Sequence, residues 1–278
     1  MNFFEPFQFE FFRNGLAVSV LAGAICGLVG VFVVLRHLSY IGHGLSHSIF
    51  GGAAASAVLS VNFYIGAGLW GLLSALMIGR VARRGRIGSD AAIGVITTGS
   101  FALGLALSNM FGQAKRSIEA VLFGSVLGVS AIDVVAVAVV GIGAVAVIVT
   151  QYRPLLFATF DPEVADVSGV RVPRMEALLM MMLAATVQFT MQVVGVLLIS
   201  ALLVTPAVIA RMLTNSFARM LFISPLIGSM CGLFGMVLSY HLDISPGATI
   251  ILVASVLFVA VYAVTGRRGR SAVVGLVH

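Results

Sequence analysis

Residues 13–35 read RNGLAVSVLAGAICGLVGVFVVL, and between Arg13 and Arg36 the run holds no charged side chain. At about 1.5 Å of rise per residue, such a stretch crosses the roughly 30 Å hydrocarbon layer of a bilayer as one helix. The rest of the chain has the same character. Of its 278 residues, 60% are hydrophobic and 9% charged, against about 25% charged in a soluble domain. Mean hydropathy is +1.13. Too few polar groups remain to cover a water-facing surface, which excludes a soluble enzyme, a secreted disulfide scaffold and a disordered tail. Residues 1–12 carry no basic residue ahead of an apolar core, so they do not form a secretory leader.

Apolar runs long enough to span recur at about 13–35, 45–61, 64–82, 91–111, 131–150, 175–193, 195–213, 220–240 and 247–265. The chain is expected to be one all-α polytopic membrane domain, residues 1–278, with about nine transmembrane helices. The sixth and seventh runs are fused around Gln192 and Gly195, and their joint length forces a turn there. The second run is short and holds His47 and several serines, so it is expected to be tilted or partly re-entrant.

Fifteen arginines and one lysine face ten acids, for a net charge of +6. In a soluble protein that excess would raise nucleic-acid binding; here it reads as topology, with no nucleic-acid partner. With nine spans and the N-terminus outside, Arg36, Arg80, Arg83, Arg84, Arg86, Arg153, Arg171, Arg174, Arg211, Arg219, Arg267, Arg268 and Arg270 lie inside. Only Arg13, Lys115 and Arg116 lie outside. Thirteen against three predicts an outer N-terminus and an inner C-terminus.

Cys26 and Cys231 both stand in apolar, glycine-rich stretches and read as small core residues. Gly23/Gly27, Gly124/Gly128 and Gly228/Gly232 have the spacing that lets helix backbones approach closely in lipid. Pro206, inside the seventh run, removes a backbone hydrogen bond and is expected to kink that helix and act in gating.

Ionisable residues inside such a chain are functional candidates. In Gly42-His43-Gly44-Leu45-Ser46-His47, a helix stacks the two imidazoles on one face. Neutral imidazole is a ligand for late first-row divalent metals, which makes the pair a metal candidate on a translocation path. The alternative is a structural hydrogen-bonded pair. His241 and Asp243, between the last two runs, either receive a cation at the outer mouth or serve the last helix, with Asp243 as its cap. Gln188 and Gln192 line a polar path or bond neighbouring helices. Asp90 and Asp133 read as caps at the starts of the fourth and fifth runs.

The inner loop 153–174 carries the remaining signal. Phe157, Phe160, Val164 and Val167 recur at helical spacing with Asp161, Glu163 and Asp166 between them. Asp161-Pro162-Glu163 is a helix start and Gly169 a stop. A short amphipathic helix results, and its acidic polar side favours a protein partner over anionic lipid. No phosphate-binding Gly-x-x-x-x-Gly-Lys-Ser/Thr occurs, so ATP hydrolysis is not expected of this chain, and glycine replaces the glutamate that a zinc protease would need between the histidines.

Three stretches together resemble a known family over nearly the full chain: Val34 to His47, Gly195 to Ala207 followed by Ala210-Arg211, and Leu238 to Thr249. They are similar to the permeases of ABC importers for zinc, manganese and related metal ions. The resemblance implies a type II ABC importer-like permease in a bacterial inner membrane, homodimeric and surrounded by lipid. Its partners would be two copies of an ATP-binding subunit, which holds the ATP, and an extracytoplasmic metal-binding protein. Phe160, Asp161, Pro162, Glu163, Val164, Asp166 and Gly169 would form the coupling segment that docks on the ATPase. Family members commonly have Asp where this chain has His43. A His/His pair is softer than Asp/His, which favours Zn²⁺ over Mn²⁺ as cargo. The alternatives are manganese or iron import by the same mechanism, import of a siderophore- or cobalamin-type metal chelate, and an ATPase-independent ion carrier. The last is disfavoured because no acid falls in the middle of any of the nine runs.

Overall fold

The computed structural model describes residues 5–58, 62–83, 88–111, 129–195 and 199–274. These residues form eleven α-helices and, among them, no strand. They are α1 (Glu10–Leu35), α2 (Ile41–Val58), α3 (Phe63–Arg83), α4 (Ser89–Phe111), α5 (Ala131–Thr150), α6 (Tyr152–Phe160), α7 (Pro162–Val167), α8 (Val172–Val194), α9 (Ile199–Leu213), α10 (Phe217–Leu242) and α11 (Pro246–Val274).

Each of the nine expected spans falls on one of these helices, but length and composition carry only seven of them. α1, α3, α4, α5, α8, α10 and α11 are long and apolar enough to cross a membrane. α2 is not among the seven, and α9 has 15 residues, about 22 Å of helix. The count of nine therefore rests on two helices that are too polar or too short to qualify alone. The expected turn between the sixth and seventh runs is present: α8 stops at Gly195, whose φ of +88° is open to glycine and strained for other residues.

α1 is apolar on all sides because it is buried on most of them. It packs most extensively along α10 and also meets α5, α8 and α9. A Cβ on Gly23 would land on the Gly228 carbonyl, and one on Gly232 would land on that of Ser19. Ser224 donates its hydroxyl to the Gly27 carbonyl at 2.6 Å. Each step of four forward along α1 is thus a step of four backward along α10, an antiparallel pair in backbone contact. Two of the three expected glycine pairs meet in this one interface. Gly124/Gly128 lie outside the described residues. Elsewhere the apolar surface faces outward, as on α5, where Ile132 and Val139 are exposed. Cys26 and Cys231 are buried and free; Cys26 lies 3.7 Å from the Thr190 hydroxyl.

Candidate functional site: the α2–α4 cavity

α1 ends at Leu35, and the chain reverses through Arg36–Tyr40. His37 takes a left-handed φ of 55° there, and the Leu38 amide reaches back to the Val33 carbonyl at 2.9 Å. This corner sets the start of α2 at Ile41, so His43 and His47 occupy its first two turns. α2 then packs along α4 through glycines. A Cβ on Gly44 would come within 2.7 Å of both Ile93 Cγ2 and Thr97 Cγ2, and one on Gly51 would strike the Ser100 carbonyl.

The histidines meet as expected. Their Nε2 atoms are 3.1 Å apart and their ring centroids 4.4 Å, with the planes at 81°. One Nε2 donates its proton and the other accepts it. Two nitrogens of a tetrahedral Zn²⁺ site, with Zn–N about 2.0–2.1 Å, are about 3.3 Å apart. The pair therefore stands near the spacing that one ion requires, with a proton where the ion would go. Both rings face a cavity of about 430 Å³ between α2 and α4. Phe101 packs on His47 at 4.9 Å and on Phe50 at 5.5 Å, which makes the wall beside His47 apolar. The other lining residues include Tyr40, Asp90, Thr97 and Thr98.

His47 is poorly supported as a ligand. Its Nδ1 is buried and has no hydrogen-bond partner. When Nε2 binds an ion, the ring proton must sit on Nδ1, where metal sites normally supply a carbonyl or carboxylate to hold it. Among the described residues no group of three or more His, Cys, Asp and Glu gathers around an ion-sized space. Two imidazoles from one chain, one of them without outer support, do not by themselves complete a stable metal site.

The structure corrects the reading of Asp90. α4 starts at Ser89, so Asp90 lies within the first turn and its side chain lines the cavity. Sequence reasoning missed it because a capping role explained it locally. Asp133 does serve its helix start, accepting from the Ser130 amide at 2.9 Å and hydroxyl at 2.8 Å. Gln188 is buried with neither amide atom hydrogen-bonded.

His241 and Asp243 are not part of this cavity. Tyr240 packs on Phe12, near the start of α1, at 5.4 Å, whereas the histidine pair follows the end of α1, a helix roughly 39 Å long. His241 turns its Nδ1 to the Val237 carbonyl at 2.8 Å. Asp243 ends α10 in a left-handed conformation, φ 54°, instead of capping the last helix, because α11 begins only at Pro246. Pro206 is buried in the middle of α9 as expected, and Pro225 stands inside α10 as a second interruption.

The short helix expected from Asp161 to Gly169 is present as α7, and a separate helix, α6, precedes it, with the chain turning at Asp161 (φ −148°, ψ 88°). Asp161 caps α7 by accepting from the Val164 amide at 3.0 Å, Pro162 takes the first position, and Gly169 turns out at φ +81°. Phe160, Val164 and Val167 are exposed, Val167 at 92%, together with Glu163 and Asp166. Arg36 reaches this segment from the corner after α1, donating to the Ala158 carbonyl at 2.7 Å and the Thr159 hydroxyl at 3.4 Å.

Residues 8–265 match the model of the ABC 3 transport family. The manganese transport system membrane protein MntC of Halalkalibacterium halodurans is 34% identical over 267 residues, covering 96% of this chain and 91% of that protein. A Haemophilus influenzae protein described as a probable iron transport system membrane protein is 36% identical over 255 residues, covering 92% of this chain and 94% of its own. Among solved structures, PsaBC from Streptococcus pneumoniae in complex with Fab superposes with a TM-score of 0.83 at 32% identity, covering 94% of each chain.

Proposed function

The chain belongs to the ABC 3 transport family, and from that membership we propose that it is the membrane subunit of an importer that carries a divalent first-row transition-metal ion through the α2–α4 cavity. The observation that carries the site is the 3.1 Å approach of the His43 and His47 Nε2 atoms on the wall of that cavity. An arriving ion displaces the shared proton onto a ring Nδ1 and takes both Nε2 lone pairs. Water supplies further ligands. The missing support at His47 Nδ1 keeps the ion's stay short.

The N-terminus lies outside and the C-terminus inside the bacterial inner membrane, as the arginine distribution favours. Two copies of the chain form the permease. A separate ATP-binding subunit on each docks against α6–α7, where Phe160, Val164 and Val167 expose an apolar face between Glu163 and Asp166. An extracytoplasmic binding protein delivers the ion, and Pro206 provides a point of bending in α9.

The relatives' names put manganese and iron forward as cargo. The donor pair supports a second reading, zinc, because two imidazoles without a carboxylate beside them are softer than the Asp/His pair common in the family. Uptake of radiolabelled Mn²⁺ into cells that depend on this chain, with Zn²⁺ and Fe²⁺ as competitors, tests both readings. Inhibition by micromolar Zn²⁺ with ATP-dependent zinc accumulation supports zinc. Mn²⁺ accumulation indifferent to Zn²⁺ supports manganese, and accumulation of neither metal nor of iron overturns metal import.

A further inference from the structure

Asp90 is exposed and is, among the described residues, the one carboxylate that lines the α2–α4 cavity; no hydrogen bond or ion pair engages it there. Its place relative to the histidines follows from helix register. Gly44 sits between Ile93 and Thr97, and Gly51, seven residues on, between Ser100 and Gly104, seven residues beyond each. α2 and α4 therefore run parallel with a constant offset, and Asp90 is level with about residue 39, just before α2 begins. At about 1.5 Å per residue it lies about 6 Å along the axis from the level of His43 and about 12 Å from that of His47, toward the end where both helices begin. Side chains lean toward their helix N-termini, which carries the carboxylate further the same way. It is thus too far along to complete one coordination shell with both histidines, in keeping with the absence of a three-residue cluster. The α4 lining next to Asp90 is Ile93 and Gly94, and Thr97 and Thr98 add hydroxyls near the level of His47.

We infer that Asp90 is a second cation station of the same cavity: its carboxylate supplies the negative charge that the neutral His43–His47 pair lacks and draws the divalent ion off the histidines toward the ends of α2 and α4. This rests on the proposed transport through the cavity, whose orientation makes that end the cytoplasmic one. Two neutral imidazoles offer an ion lone pairs but no charge. In the proposed orientation the arginine-rich sequence between α3 and α4 falls on the cytoplasmic side, and positive charge there opposes a cation's exit. A carboxylate before that barrier lowers the field the ion must cross, and two weak stations in series allow both entry and release.

The test uses the full-length chain with its ATPase and binding protein in proteoliposomes, with Mn²⁺ and Zn²⁺ as separate probes. Four forms are compared at matched incorporation: wild type, Asp90→Asn, Asp90→Glu and His47→Ala. Asp90→Asn is expected to cut the maximal rate about tenfold for the transported ion, while Asp90→Glu keeps at least half of it. ATPase activity stimulated by the loaded binding protein should stay within twofold of wild type in Asp90→Asn. Wild-type transport by Asp90→Asn, with His47→Ala inactive, overturns the station and leaves the histidine site standing. Wild-type transport by both overturns the histidine site as well. Equal loss in Asp90→Asn and Asp90→Glu, or loss of stimulated ATPase activity in Asp90→Asn, shows a structural role and overturns the inference.

Discussion

Arg36→Ala is expected to loosen the α6–α7 segment without touching the histidine cavity, and the size of the effect follows from one carbonyl. In a continuous helix the Ala158 carbonyl would accept from the amide of residue 162. That residue is Pro162, which has no amide proton. Ala158 is 1% exposed, so water does not replace the missing donor. Arg36 does, at 2.7 Å, with a charge-assisted bond of the kind worth about 1.5–3 kcal/mol. Burial pushes the Arg36 guanidinium below its ordinary pKa, and the negative charge of Glu176 pulls it partly back. The group remains a cation at any physiological pH. The contact to the Thr159 hydroxyl, at 3.4 Å, adds little. Truncation leaves a buried carbonyl unpaired and removes the cation facing Glu176, for a loss of about 2 kcal/mol. If the segment opens locally, amide hydrogens across α6 and α7 should exchange about 30-fold faster, since each 1.4 kcal/mol is a factor of ten. Hydrogen exchange with mass-spectrometric readout on the detergent-solubilised chain measures this. Arg36→Lys keeps the charge and one donor and should recover part of the protection. Exchange within threefold of wild type in Arg36→Ala would refute the claim that this bond holds the segment to the bundle.

Three further predictions concern the scaffold and the proposed docking face. Gly228→Leu places side-chain atoms on the Gly23 backbone; it should destabilise the chain by about 1–3 kcal/mol as overpacking, read as a lowered denaturation midpoint in detergent. Gly143→Ala, where a Cβ meets nothing within 4 Å, should leave that midpoint unchanged or slightly raised. Asp161→Ala removes the α7 cap, worth about 1 kcal/mol, and should weaken capture of the ATP-binding subunit about fivefold in a pull-down titration, with the denaturation midpoint little changed.

The apolar runs made every long helix legible in the sequence, because a bilayer demands about twenty apolar residues and little else explains them. The glycine spacing foretold the α1–α10 contact, though not which helices would meet. α7 was legible because its cap Asp161, its first-turn Pro162 and its stop Gly169 all lie close in sequence; the separate helix α6 ahead of it carries no comparable start signal. The histidine pair was legible because i and i+4 share a helix face in any fold. Its cavity was not, since α4 is more than forty residues away in the chain and only tertiary packing sets Thr97, Phe101 and Asp90 opposite it. Asp90 shows the limit well: a carboxylate beside a helix start has a sufficient local explanation, and nothing local marks the cavity in front of it. His241 and Asp243, close in sequence, stand at the end of α10 away from the α2–α4 cavity, where His241 meets the Val237 carbonyl and Asp243 turns left-handed.

The central claim is that the divalent ion passes His43 and His47. Its most direct test is initial-rate uptake of ⁵⁴Mn²⁺ and ⁶⁵Zn²⁺ by cells expressing wild type, His43→Ala, His47→Ala or the double variant at equal membrane abundance. The pair should act as one unit, so each single variant is expected to lose at least tenfold in uptake of the transported ion, and the double variant little more than either single. Uptake by the double variant equal to that of wild type would contradict the account and move the ion's path away from the α2–α4 cavity.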